Sequence, residues 1–259
     1  MNAKSICIIL ACCVLVTSLI WCYKKIKNEG YREPLITFLT EDQAKSFLYS
    51  DIDNYLRNLT EPNLHALGAD SHQECLEKWL DSCDNWKPRE QEKLKEAIAI
   101  VTFNLRNNLK DEVFLKQLQG IDWQFAKTIH PYYMDGLPHT RGDIIWLTDK
   151  VIALTDPERL ARLLLHEKTH IWERKFPKVM KAWMDKQGFT PVGNISEDPS
   201  YRQNPDLDDK IYVDKHNRKM FVKFNSTKPR NLMDVSYSIN HELEHPYEAL
   251  AYRMEKYVD

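Results

Sequence analysis

The stretch "LLLHEKTHIWER", residues 163–174, constrains this chain more than any other. Three leucines carry a helix toward a hydrophobic core, and the run then continues into His166, Glu167 and His170. Ionisable groups taken into a core are costly unless something pairs with them. The helix itself is strongly marked. Asp156 suits the N-cap, Pro157 the first helical position, and Thr155 with Glu158 forms an alternative capping box. Pro177 bounds the far end, so the helix is expected to run to about Lys175.

His166 and His170 stand four residues apart, so on a helix they point the same way, one turn apart. Two imidazoles so placed can share one Zn²⁺ at about 2.0–2.1 Å. Glu167 is rotated by about 100° from His166 and does not ligate. Its carboxylate can take the proton of a water that the ion has acidified. This spacing is the HExxH motif, and "HEKTH" resembles that of the zincin metallopeptidases. The resemblance covers about residues 140–255. It implies an α+β fold with a zincin-like metallopeptidase domain, in which a small sheet carries an active-site helix and a C-terminal helix. It also implies one Zn²⁺, a peptide or protein substrate, and peptide-bond hydrolysis with Glu167 as catalytic base and then acid. The extended segment "RGDIIWL" would be the edge that pairs with the substrate backbone. Lys168, inside the motif, points away from both histidines.

A catalytic zinc needs a third protein ligand and one open position. "INHELEHPYEALAYRMEKY" offers His241, Glu242, Glu244, His245 and Glu248. Ligand chemistry leaves the choice open, since zinc accepts imidazole and carboxylate alike. A helix starting at Pro246 puts Glu248 in its first turn. A start near Asn240 would align His241, Glu244, His245 and Glu248 on one face, but at a cost of about 3 kcal/mol for an interior Pro246. "HPYEALAY" also resembles the P-x-E-x-x-A pattern of the gluzincin branch, which implies Glu248 as the third metal ligand beside His166 and His170. Many gluzincins carry an acid four residues later to orient a histidine. Here that position is Tyr252, which leaves Asp234 or Glu255 for the task. His245, His241 and Tyr252 are candidate oxyanion stabilisers, with Tyr247 competing, and each serves equally well as a cap or packing group. The metzincin extension is absent, because "IWERKFP" follows His170. Asp206, Asp208 and Asp209 lack EF-hand spacing and read as a solvated loop.

Upstream the chain reads as helical. Thr40 with Gln43 and Ser71 with Glu74 are helix starts, and Pro88 opens a long helix to about Asn108. "IDWQFAKTI" and "GDIIWLTDKVIAL" read as strands joined by a loop, residues 188–209 as a polar loop, and "KIYVDKHNRKMFVKF" as a hairpin turning at His216-Asn217. The expected organisation is therefore an anchor over 1–23, a linker over 24–37, a helical region over 38–119 and the zincin-like domain over 120–259.

The anchor rests on Ser5–Tyr23, which carries no charge. Nineteen helical residues span roughly 28 Å, close to a bilayer's hydrocarbon thickness. A cleaved signal peptide is the competing reading, but "LIWCYKK" has bulky residues where cleavage wants small ones. The expectation is a single-pass membrane protein held by residues 5–23. Lys24, Lys25 and Lys27 place the C-terminal domain on the cytoplasmic or interior side. A virion or organelle membrane fits as well, and sequons at Asn58, Asn194 and Asn225 argue for the opposite orientation. Only Cys75 and Cys83 lie outside the apolar segment. In one helix they stand roughly 12 Å apart, too far to bridge. A net charge of −2 provides no basic footprint, so no nucleic-acid partner is expected. The alternative to a peptidase is a catalytically inactive zincin-like structural or binding module. An intact Glu167 favours the enzyme.

Overall fold

The computed structural model describes residues 34–129 and 133–258. Over these residues the protein is α+β, with ten α-helices around three sheets. The main sheet comprises β1 (Ile36–Phe38), β2 (Cys83–Asp84), β3 (Trp123–Thr128), β4 (His139–Arg141) and β5 (Ile144–Thr148). Its order is β1-β3-β5-β4. The pairs β1–β3 and β3–β5 are parallel, β4 is antiparallel to β5, and β2 is antiparallel to the end of β3.

The centre of the sheet is buried on both faces, which explains its nearly unbroken apolar runs. Successive side chains alternate between two cores. Phe125, Ile145 and Leu147 enter the core built on the helices Pro88–Asn108, Pro157–Lys175 and Pro246–Glu255. Ala126, Ile144 and Trp146 enter the second core, under the helices between residues 41 and 82. The upstream helical residues thus cover both faces of the sheet, and Ile36–Phe38, expected at the end of a linker, is a strand of it.

Downstream, β6 (Thr190–Asn194), β7 (Lys210–Val213) and β8 (Lys219–Met220) form one small antiparallel sheet. Strands β9 (Val222–Phe224) and β10 (Val235–Tyr237) form another. The hairpin between β7 and β8 turns through Asn217 at φ +60°, a conformation asparagine tolerates better than most residues.

Three expectations need correction. The stretch "GDIIWLTDKVIAL" is a strand only through Thr148, and Asp149–Leu154 is a helix capped by the Thr148 side chain. The strand "RGDIIWL" is not an edge: β5 lies between β3 and β4, and the edge is β4, a three-residue strand inside the stretch expected to be loop. The transmembrane architecture and the single-pass membrane localisation, with a domain on the cytoplasmic or interior side, are not supported either. Among the described residues no helix is long and apolar enough to cross a membrane. The two longest, Pro88–Asn108 and Pro157–Lys175, are amphipathic and carry many charged side chains. Residues 5–23, on which that expectation stood, lie outside the described residues.

Candidate metal centre

The motif helix, Pro157–Lys175, is capped by Asp156, whose side chain accepts from the Arg159 N–H at 2.9 Å, with Pro157 at its start. Leu160, Ala161, Leu164 and Leu165 anchor its first half in the core. Burial continues through Glu173, so the histidines are presented from a rigid, central element. Lys168 leaves this face. Its ammonium donates to the Ile121 carbonyl at 2.7 Å and lies 3.7 Å from the centre of the Trp123 ring.

The C-terminal helix, Pro246–Glu255, begins where Pro246 indicates, with His245 as N-cap accepting from the Tyr247 N–H at 3.2 Å. Glu248 falls in its first turn and faces the motif helix. Nε2 of His166 and Nε2 of His170 stand 3.1 Å apart. Glu248 Oε2 is 3.3 Å from the first and Glu248 Oε1 is 3.8 Å from the second. All three residues are buried, and one potential ligand atom from each lies within 4.8 Å of the others.

The outer ring nitrogens are already engaged. His166 Nδ1 meets Glu255 Oε1 at 2.8 Å, and His170 Nδ1 meets Glu173 Oε2 at 2.9 Å. Those partners place the imidazole protons on Nδ1 and leave both Nε2 lone pairs facing inward. Two nitrogen acceptors and a carboxylate then converge with no donor among them, an arrangement that calls for a cation. A proton on His166 answers it in part. Burial acts to lower the His166 pKa, but the carboxylates of Glu248 and Glu255 outweigh it and hold it well above the usual value. Burial pushes His170 the other way, well below it. A metal ion would answer the whole arrangement. Ligands at about 2.0–2.1 Å around a tetrahedral ion lie about 3.3–3.4 Å from one another. The separations of 3.1 Å between the two Nε2 atoms and 3.3 Å from His166 Nε2 to Glu248 Oε2 are close to that spacing, and the 3.8 Å approach to His170 is made by the other oxygen of Glu248.

His166, Glu167, Glu248, Glu255, His241 and Tyr252 all line one cleft of about 370 Å³. Glu167 is buried, and its Oε2 has no hydrogen-bond partner. Burial, and next the charge of Asp206, raise its pKa well above the ordinary carboxylate range. Of the three expected oxyanion candidates, Tyr252 packs edge-on to His166 at 4.8 Å between ring centres, and His241 lies 5.5 Å from Tyr252. His245 lies elsewhere. Besides capping its helix, its Nε2 contacts Asp208 Oδ1 at 3.1 Å, and it does not line the cleft. Tyr247 is buried in the core beside it. Between the two acids considered for orienting a histidine, Glu255 does so, whereas Asp234 is taken by Asn225 and Arg230 in the β9–β10 turn.

Several residues of the site escaped the sequence reading. Glu173, three residues after His170 on the same helix, had a visible signal in its i,i+3 spacing. The segment Arg202–Asp208 had none. Asp206 is not solvated: its Oδ1 accepts from Thr140 N–H at 2.7 Å and from the Thr140 hydroxyl at 2.5 Å, on the edge strand β4. Burial raises its pKa to about 6. Arg174 donates to the same hydroxyl at 2.6 Å and to the Gly142 carbonyl at 2.8 Å, which fixes the end of β4 over the motif helix.

Comparison with known proteins returns no match for this chain among family models, curated proteins or solved structures.

Proposed function

We propose that the chain is a zinc-dependent peptidase whose metal is held by His166, His170 and Glu248. The observation that carries this reading is the convergence of two Nε2 atoms and a carboxylate, each imidazole backed by a second carboxylate, beside Glu167, whose buried Oε2 has no partner. Zinc is the ion of choice because two imidazoles and one carboxylate form a typical donor set for its catalytic sites. Bound there, it would act as a Lewis acid on a substrate carbonyl and acidify a water.

The chain's own residues do the rest. Glu255 and Glu173 keep the imidazole protons on Nδ1 and fix the ring planes. Glu167 accepts a proton as the attack on the carbonyl proceeds and returns it to the leaving amine. Tyr252 and His241, at the cleft wall, are the groups available to stabilise the oxyanion. Burial keeps the Tyr252 hydroxyl protonated and therefore a donor.

One observation favours a catalytically silent binding module instead. The Thr140 N–H of edge strand β4 is already bonded to Asp206, so it is closed to a substrate backbone. Metal analysis and cleavage of a broad peptide library by purified protein separate the readings. Zinc at one equivalent, cleavage by the wild type, and loss of cleavage with retained zinc in Glu167→Gln are the expected results. Zinc without cleavage would select the silent module. No zinc uptake would end both.

A further inference from the structure

Alternate residues of the segment Arg202–Asp208 each grip an element of the site. Arg202 Nη2 pairs with both oxygens of Glu244, at 3.0 and 2.7 Å. Asp206 holds Thr140 of the edge strand, and Asp208 contacts His245, the N-cap of the C-terminal helix. Asn204 lies between them. Its Nδ2 is 3.3 Å from Glu248 Oε1 and 3.3 Å from Glu244 Oε1.

The orientation of this amide follows from the bonds at its other end. Asn204 Oδ1 accepts the Asp206 N–H at 3.0 Å, so the NH₂ group must be the end that faces the acids. An NH₂ group has two protons, one for each carboxylate. Glu244 is further satisfied by Arg202, but the other neighbours of Glu248 are the inward nitrogens of His166 and His170, which a bound metal would claim. A carboxylate with neither oxygen fixed could turn either or both toward a metal.

We infer that Asn204 is the positioning residue of the third ligand: its amide holds Glu248 Oε1 and leaves Oε2, the oxygen 3.3 Å from His166 Nε2, to turn to the metal. A single carboxylate oxygen then ligates, and the open position that catalysis needs is preserved. The inference rests on the metal-centre reading above and adds to it a residue that touches neither substrate nor metal.

The test is zinc affinity of the purified full chain, measured by competition with a chromophoric chelator, with the visible spectrum of the cobalt-loaded protein as second readout. Asn204→Asp keeps the oxygen that accepts from Asp206 and loses the NH₂ donor. It is expected to bind zinc about 10–100-fold more weakly and to alter the cobalt spectrum, as removal of a ligand-orienting group does. Asn63→Ala is the control. Asn63 Oδ1 accepts from Gln203 N–H at 2.9 Å, so its loss loosens the same segment without touching Glu248. It is expected to leave affinity and spectrum in place, which a merely structural role for the segment would not allow. Should Asn204→Asp fail to fold, Asn204→Ser, which shortens the side chain out of reach of Glu248, is expected to show the same loss. Wild-type affinity and spectrum in a folded Asn204 variant, while His166→Ala binds no zinc, would overturn the role of Asn204 and leave the centre standing. Absence of zinc from the wild type would overturn both.

Discussion

His170 Nδ1 meets Glu173 Oε2 at 2.9 Å within one turn of the motif helix, and both side chains are closed to solvent. Among the described residues Glu173 is the partner recorded at the outer nitrogen of the His170 ring, and rotation of that ring would carry Nε2 away from His166 and Glu248. Glu173→Ala is therefore expected to lower zinc affinity about 10–100-fold, the usual cost of losing a second-layer partner of a ligating histidine. Glu173→Gln retains an acceptor oxygen and should lose much less. Equilibrium zinc titration of the two variants checks this. Equal affinity in Glu173→Ala and wild type would show that the contact does not orient the ring.

Glu248 and Glu244 are both buried acids near the cleft, and only their partners tell them apart. Burial works against the Glu248 charge, but the hydrogen bond with His166 and its charge outweigh it and hold its pKa at about 2. Glu244 instead faces Arg202. Glu248→Ala is expected to lower zinc affinity by orders of magnitude. Glu244→Ala is expected to keep the metal but to destabilise the fold by about 3–5 kcal/mol, because it strands a buried guanidinium. Calorimetry alongside metal analysis separates the two effects. Loss of zinc from Glu244→Ala with retention in Glu248→Ala would reverse the assignment.

How much of this was legible depended on whether the determinant was local. Both helices of the site announce themselves, one through Asp156 and Pro157 and the other through Pro246. Their apolar stripes have the helical period. The edge strand β4 is His-Thr-Arg, which has no strand character of its own and exists because it pairs with β5. Asp206 looks like one of a set of solvated acids. It is buried because Thr140, 66 positions away in sequence, offers it two donors. Asn204 is illegible for the same reason, with Glu244 and Glu248 some 40 residues downstream. Contacts of that sequence separation leave no trace in spacing or composition.

Arg141, at the end of β4, supports the site from behind. Its guanidinium is buried between Asp53, at 2.5 and 2.9 Å, and Asp51, at 2.8 Å, with the rings of Phe47, Tyr55 and Trp79 around it. Replacing it with Met leaves two acids facing an apolar core. Arg141→Met is expected to cost about 3–5 kcal/mol, the range for breaking a buried pair from one side. Adding Asp53→Asn should recover part of that loss, since the residues share one network and their effects do not add. Urea unfolding of the two single variants and the double variant measures the coupling. Strict additivity would mean that the pairing contributes nothing beyond each side chain's own packing.

His139, the first residue of β4, makes stability depend on pH. It is 3% exposed, lies parallel to Trp146 at 6.4 Å between ring centres, and has Tyr133 4.9 Å away. Its Nδ1 is 3.0 Å from the Leu137 carbonyl, which can only accept, so Nδ1 carries the proton and buried Nε2 has no partner. Burial holds its pKa down to about 3, the Leu137 carbonyl opposes that, and the charge of Arg141 reinforces it. The unfolded chain, with an ordinary imidazole pKa of about 6.5, takes up a proton at pH 5 while the folded state does not. Protonation therefore favours unfolding, and stability is lost as pH falls from about 6.5 toward the folded value. At about 1.36 kcal/mol per pH unit the loss attributable to His139 reaches about 2 kcal/mol at pH 5. His139→Phe removes the titrating group and leaves the other acids and bases in place. Denaturant unfolding at pH 7.5 and pH 5 should show the wild type losing about 2 kcal/mol more than the variant over that interval. An equal loss in both proteins, or a His139 imidazole titrating near 6.5 by NMR, would show that the ring is not held neutral by its surroundings.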